Sequence, residues 1–63
     1  MKCKGCGKHP DEIFEYVFGA EELGITPEEY VKNEEGTYNH LAKLFWCTEC
    51  YVIAGTPKGK AQP

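Results

Sequence analysis

Cys3-Lys4-Gly5-Cys6 near the start of the chain and Cys47-Thr48-Glu49-Cys50 near its end decide the fold. A C-x-x-C pair lets two thiolates converge on one ion at ~2.3 Å, and two pairs complete a tetrahedral shell. Gly5 and Gly7 suit a tight turn with positive φ that frees backbone N–H groups to face the sulfurs. The reading is one structural zinc per chain, held by Cys3, Cys6, Cys47 and Cys50. Iron in a four-thiolate site and a pair of disulfides are the alternatives, because ligand identity alone does not separate zinc from iron.

The size of the chain makes such a staple valuable. A 63-residue protein buries only about 60% of its unfolded surface, and domains this small usually lean on a metal or disulfides. The length allows one domain, expected over residues 1–55, followed by a loose polar tail at 56–63. No apolar run approaches the ~20 residues of a membrane span, and no secretory core follows Met1. The expected setting is therefore a reducing cytoplasm, where cysteine pairs bind metal rather than each other.

Charge is segregated along the sequence. Residues 11–35 hold nine of the ten acids against Lys32 alone, whereas the flanking segments hold six lysines against Glu49. The formal net charge is −3, and a four-thiolate zinc centre would take it to about −5. That sign opposes phosphate-driven binding of nucleic acid.

Helix signals fill the 40 residues between the two cysteine pairs. His9-Pro10-Asp11-Glu12 is a helix start, with proline in the first turn and acids at the positive end of the dipole. Ile13, Phe14, Val17 and Ala20 recur at helical spacing, and Gly24 is a natural stop. Gly19 weakens the middle and predicts a bend or an early end. Thr26-Pro27-Glu28-Glu29 is a capping box that opens a second helix, running to about Glu34 and closing at Gly36. Thr37 and Tyr38 are expected to pair with Phe45 and Trp46 in a short hairpin that delivers the second cysteine pair. Beyond Cys47, a short helix ending at Gly55 would set Cys47 and Cys50 at its N-terminus, where dipole and free N–H groups favour thiolate.

The fold class expected is a small metal-stabilised α+β domain. Through Cys3-Lys4-Gly5-Cys6-Gly7 and Phe45-Trp46-Cys47-Thr48-Glu49-Cys50-Tyr51, the order resembles the treble-clef group of zinc fingers. That likeness implies a knuckle, a hairpin and a helix carrying the second ligand pair. The acidic two-helix insert at 10–35 departs from it. A zinc ribbon is the alternative. Three stretches, CKGCGKHPDEI, TPEEYVKNEEGTYN and FWCTECYVIAG, also resemble small two-knuckle proteins of actinobacterial tailed phages. That resemblance implies a metal and a phage or bacterial setting, with the host cytoplasm as the compartment, but no reaction.

The other candidates have plainer readings. His9 could substitute for a cysteine, but four thiolates are already supplied, so a capping or surface role is expected. His40 is expected in solvent. The chain has no serine, so neither histidine has a serine partner, and Glu21-Glu22 and Glu34-Glu35 read as solvated helix faces. The eight aromatics are mostly core, with one or two left over for an interface. A closed four-thiolate site leaves no position for substrate, so the chain is read as no enzyme. The expected function is a protein-interaction adaptor that presents the acidic helices. The alternative is a nucleic-acid-binding finger using Lys2, Lys4, Lys8, Lys58 and Lys60.

Overall fold

The computed structural model describes residues 1–63. Strand β1 is Lys2–Cys3, followed by a 3-10 turn at Pro10–Glu12, helix α1 at Phe14–Leu23 and helix α2 at Pro27–Glu34. Strand β2 is Leu44–Phe45 and helix α3 is Thr48–Ile53. The result is a small α+β protein, and no helix is long and apolar enough to cross a membrane.

The first helix starts later than its acids suggest. Pro10 opens only a single turn, closed where the Ile13 N–H reaches the Pro10 carbonyl. Ile13 is then extended, at φ −112° and ψ 111°. Its carbonyl accepts from Tyr16 and Val17, so α1 begins afresh with a shifted phase. The buried stripe of α1 is consequently Tyr16 and Ala20, one turn apart, while Phe14 is exposed. Gly24 ends the helix as expected, at φ 71°, and the Ile25 N–H closes back on the Ala20 carbonyl.

Gly19 does not shorten α1, which runs unbroken from Phe14 to Leu23. A β-carbon there would lie 2.5 Å from the Tyr30 ring, so this glycine exists to let Tyr30 of α2 lie against the helix backbone. The helix-propensity penalty of about 1 kcal/mol is offset by that packing.

Helix α2 is capped as its sequence demands. The Glu29 N–H donates to Thr26 Oγ1 at 3.1 Å, and the Thr26 N–H donates to Glu29 Oε1 at 3.2 Å. Its far end differs from expectation. The chain leaves at Glu35 in an extended conformation and Gly36 has no positive φ, so no left-handed glycine cap forms. The carboxylate of Glu35 shows why that exit is fixed. Its Oε2 accepts from the Tyr16 hydroxyl at 2.7 Å, and its Oε1 accepts from the Thr37 N–H and hydroxyl at 3.1 and 2.9 Å. Glu35 is thus half-buried and bonded on both oxygens, not part of a solvated face.

The expected hairpin is present in register but reduced to one backbone bridge, Asn39 opposite Leu44. Continuing that register opposes Tyr38 to Phe45 and Thr37 to Trp46. There the Trp46 N–H donates to Thr37 Oγ1 at 2.9 Å, so a side chain replaces the ladder. Asn39 Oδ1 accepts from the N–H groups of Leu41 and Ala42, holding the connecting loop. The other edge of β2 carries the sheet. It pairs in parallel with β1, Lys2 opposite Leu44 and Cys3 opposite Phe45.

The core lies where these elements meet: Cys3, Tyr16, Val31, Tyr38, Phe45 and Cys47. Phe45 and Val31 are fully enclosed, and the Tyr16 ring meets Phe45 edge-on at 5.6 Å. The C-terminal stretch, read as loose from its polar composition, packs back on the strand region. Ala61 is fully buried, its N–H donates to the Thr37 carbonyl at 2.8 Å, and Asn39 Nδ2 donates to the Ala61 carbonyl. A lone alanine among lysine, glycine and proline gave the sequence no apolar period by which to announce this contact.

Candidate metal centre

Two local structures bring the sulfurs together. In the N-terminal knuckle the Gly7 N–H donates to the Cys3 carbonyl and the Cys3 N–H to the Lys8 carbonyl, both at 2.9 Å. Gly7 takes the left-handed conformation this turn requires, at φ 75°. Gly5 serves differently from expectation, since its φ is not positive. A β-carbon on Gly5 would stand 2.7 Å from Cys50 Cβ and 2.8 Å from Cys50 Sγ. The first knuckle must be bare at Gly5 so that the second can close over it.

The C-terminal pair sits on the first turn of α3, with Cys47 as the residue that precedes the helix. The parallel pairing of β1 with β2 sets the approach. Cys3 lies opposite Phe45, two residues ahead of Cys47, and the Cys47 N–H points at Cys3 Sγ, 3.4 Å away. Trp46 caps the region, with the Lys4 ammonium 5.6 Å from its ring.

All four cysteines are free, and their Sγ atoms lie within 4.8 Å of one another. Ligands at ~2.3 Å in a regular tetrahedron stand ~3.8 Å apart, so the cluster has the size a tetrahedral thiolate site requires. The donor set fits as well, being four soft sulfurs with no oxygen or nitrogen among them. Cys3 and Cys47 are buried, Cys50 is half-buried and Cys6 is exposed, which leaves one edge of the cluster open to solvent.

The electrostatics favour a cation at this point. Burial alone would raise the Cys3 thiol, but the N–H groups of Cys47, Cys6 and Gly5 outweigh it and bring the group down to about 7. Cys50 is pushed up, by burial and then by the neighbouring sulfurs of Cys47, Cys3 and Cys6. Cys47 is raised by burial and by Cys3. Four sulfurs this close cannot all ionise without a positive ion among them.

Neither histidine joins the cluster. His9 stands at the start of the 3-10 turn, where its N–H donates to Glu12 Oε1 and its Nδ1–H to the Met1 carbonyl, at 2.8 and 2.7 Å. Its side chain makes no cap hydrogen bond to the turn and stays exposed, so of the capping or surface role expected of it the structure shows the surface one. His40 is exposed beside the hairpin loop. Among the acids, Glu21, Glu22, Glu28, Glu29 and Glu34 face solvent. Sequence reasoning missed Glu35, whose only signal was its place between the end of α2 and Gly36-Thr37.

A comparison of the chain with known protein families, with curated proteins and with solved structures finds no significant match.

Proposed function

We propose that this chain is a structural-zinc protein that acts as a protein-interaction adaptor. Cys3, Cys6, Cys47 and Cys50 would hold one Zn²⁺, and the metal's contribution is to tie the first and last parts of the chain together. The observation that carries the reading is the convergence of four sulfurs from two distant pairs on one point. A full shell of four thiolates leaves no coordination position for water or substrate, so the role is architectural and the protein is no enzyme.

The knuckle, the reduced hairpin and a second ligand pair on a helix N-terminus support a treble-clef-like reading over a zinc ribbon. What the scaffold presents is mainly negative, since most acids of residues 10–35 are solvent-facing. Such a surface favours a basic protein partner over a polyanion. The likeness to small phage proteins supports a host cytoplasm as the setting. Reversing Glu21, Glu22, Glu28 and Glu29 to lysine should abolish partner capture while zinc content stays at one per chain. Tight, salt-sensitive binding of random duplex or single-stranded nucleic acid would instead make this a nucleic-acid finger.

A further inference from the structure

A groove of about 630 Å³ opens over the cysteine cluster, between the start of α1 and α3, with Cys6, Cys47 and Cys50 in its wall. Apart from those sulfurs, its apolar lining is Ile13, Phe14 and Ile53. Phe14 and Ile53 are 79% and 76% exposed. Phe18 is not part of that lining but adjoins it one turn along α1, 53% exposed and stacked on Phe14 at 5.8 Å. Large apolar side chains left this bare on so small a protein mark an interaction surface. The fold makes no use of them, because the Ile13 break turns Tyr16 and Ala20 inward and leaves Phe14 and Phe18 outside.

The rim identifies the occupant. Glu12, Glu15 and Glu49 line the groove against Lys8 alone. Glu12 and Glu15 commit only Oε1 internally, to the His9 N–H and the Thr48 hydroxyl. Each keeps a second oxygen for another donor. One helical turn beyond Phe18, α1 carries Glu21 and Glu22, both exposed. A second copy of this chain would bring the same acids against the same acids, on molecules of formal charge −3. Lysine or arginine flanking bulky apolar side chains complements both lining and rim.

We infer that this groove docks a cationic amphipathic segment of a partner protein, its apolar side chains on Phe14, Phe18 and Ile53 and its basic ones on Glu12, Glu15 and Glu49. The inference rests on the adaptor reading and narrows it from the whole acidic insert to one face.

The test uses the zinc-loaded full chain and a synthetic amphipathic helix of leucine and lysine. A scrambled peptide of equal composition and a leucine–glutamate counterpart serve as controls. Amide shifts should concentrate on residues 12–18 and 48–53 for the amphipathic cationic peptide, and either control should bind at least tenfold more weakly. Phe14→Ser combined with Ile53→Ser should weaken binding at least tenfold with the Co²⁺-substituted spectrum unchanged. Glu12→Lys with Glu15→Lys should do the same. Equal affinity for the scrambled peptide, or a double serine variant binding within twofold of the parent, overturns the proposal. Loss of binding only on reversal of Glu28 and Glu29 also overturns it, but leaves the broader acidic-insert reading standing. Insensitivity to both sets of reversals removes both readings. Concentration-dependent dimers abolished by Phe14→Ser would assign the groove to a second copy and overturn the heterologous partner.

Discussion

Replacing Gly5 by alanine tests the closure of one knuckle over the other. Alanine suits the backbone, because Gly5 lies outside the left-handed region. On an unfolded-state argument alone the change would stabilise the protein by about 0.4–1 kcal/mol. The new methyl, however, would stand 2.7 Å from Cys50 Cβ and 2.8 Å from its sulfur, where ordinary contact begins at 3.4 Å. Cys50 would have to retreat by about 0.7 Å, and it is anchored on α3 within the four-sulfur cluster. Overpacking of this kind costs typically 1–3 kcal/mol, so the net loss is about 1–2 kcal/mol. Metal binding and folding share one free energy in such domains, so zinc affinity should fall about 5- to 30-fold. Competition against a chromophoric chelator reads that loss, and the visible bands of the Co²⁺ form should shift as the tetrahedron distorts. Gly7→Ala is the control. Its φ of 75° makes alanine strained, but nothing lies within 4 Å, so stability should drop by about 1–2 kcal/mol with the Co²⁺ bands unmoved. If Gly5→Ala held zinc within twofold and kept the parent spectrum, the two knuckles do not close as described.

The Tyr16–Glu35–Thr37 network predicts an alkaline limb of stability. Burial, then the hydrogen bond and charge of Glu35, raise the Tyr16 phenol well above its ordinary value. Its contribution is therefore complete below the unfolded value of about 10 and is lost as pH rises beyond it, by up to about 1.4 kcal/mol per pH unit. Denaturant melts between pH 9 and 11 should show that fall, and Tyr16→Phe should flatten it; an unchanged slope in the variant contradicts the network. Glu35→Ala, which leaves the Tyr16 hydroxyl only its 3.5 Å bond to the Trp46 carbonyl, should cost about 1–3 kcal/mol, whereas Glu34→Ala should fall within about 0.5 kcal/mol of the parent. Removing residues 59–63 should lower the melting temperature and expose the Thr37–Asn39 backbone to hydrogen exchange, since Ala61 bonds there; unaltered exchange would mean that the tail does not dock.

What the sequence announced and what it hid differ in physical kind. The cysteine pairs, the Thr26–Glu29 box and Gly24 act within a few residues, and the structure places each as its spacing implies. The phase of α1 was not legible. One extended residue, Ile13, rotates the stripe from Phe14 to Tyr16, and no local propensity distinguishes these. Gly19 looked like a flaw because its reason, the Tyr30 ring, belongs to another helix. The pairing of β1 with β2 involves two residues on each side, too few for any alternation to register. Glu35 resembled its neighbours in a run of acids, and only its three hydrogen bonds set it apart. The cluster of four cysteines could be read because a metal site demands particular atoms at fixed intervals, whereas core contacts accept many residues at many separations.

Zinc K-edge X-ray absorption on protein purified under reducing conditions addresses the central claim most directly. The account predicts one zinc per chain with a single shell of four sulfurs at ~2.3 Å, supplied by Cys3, Cys6, Cys47 and Cys50. A shell containing nitrogen or oxygen, or protein carrying iron or no metal, would contradict it.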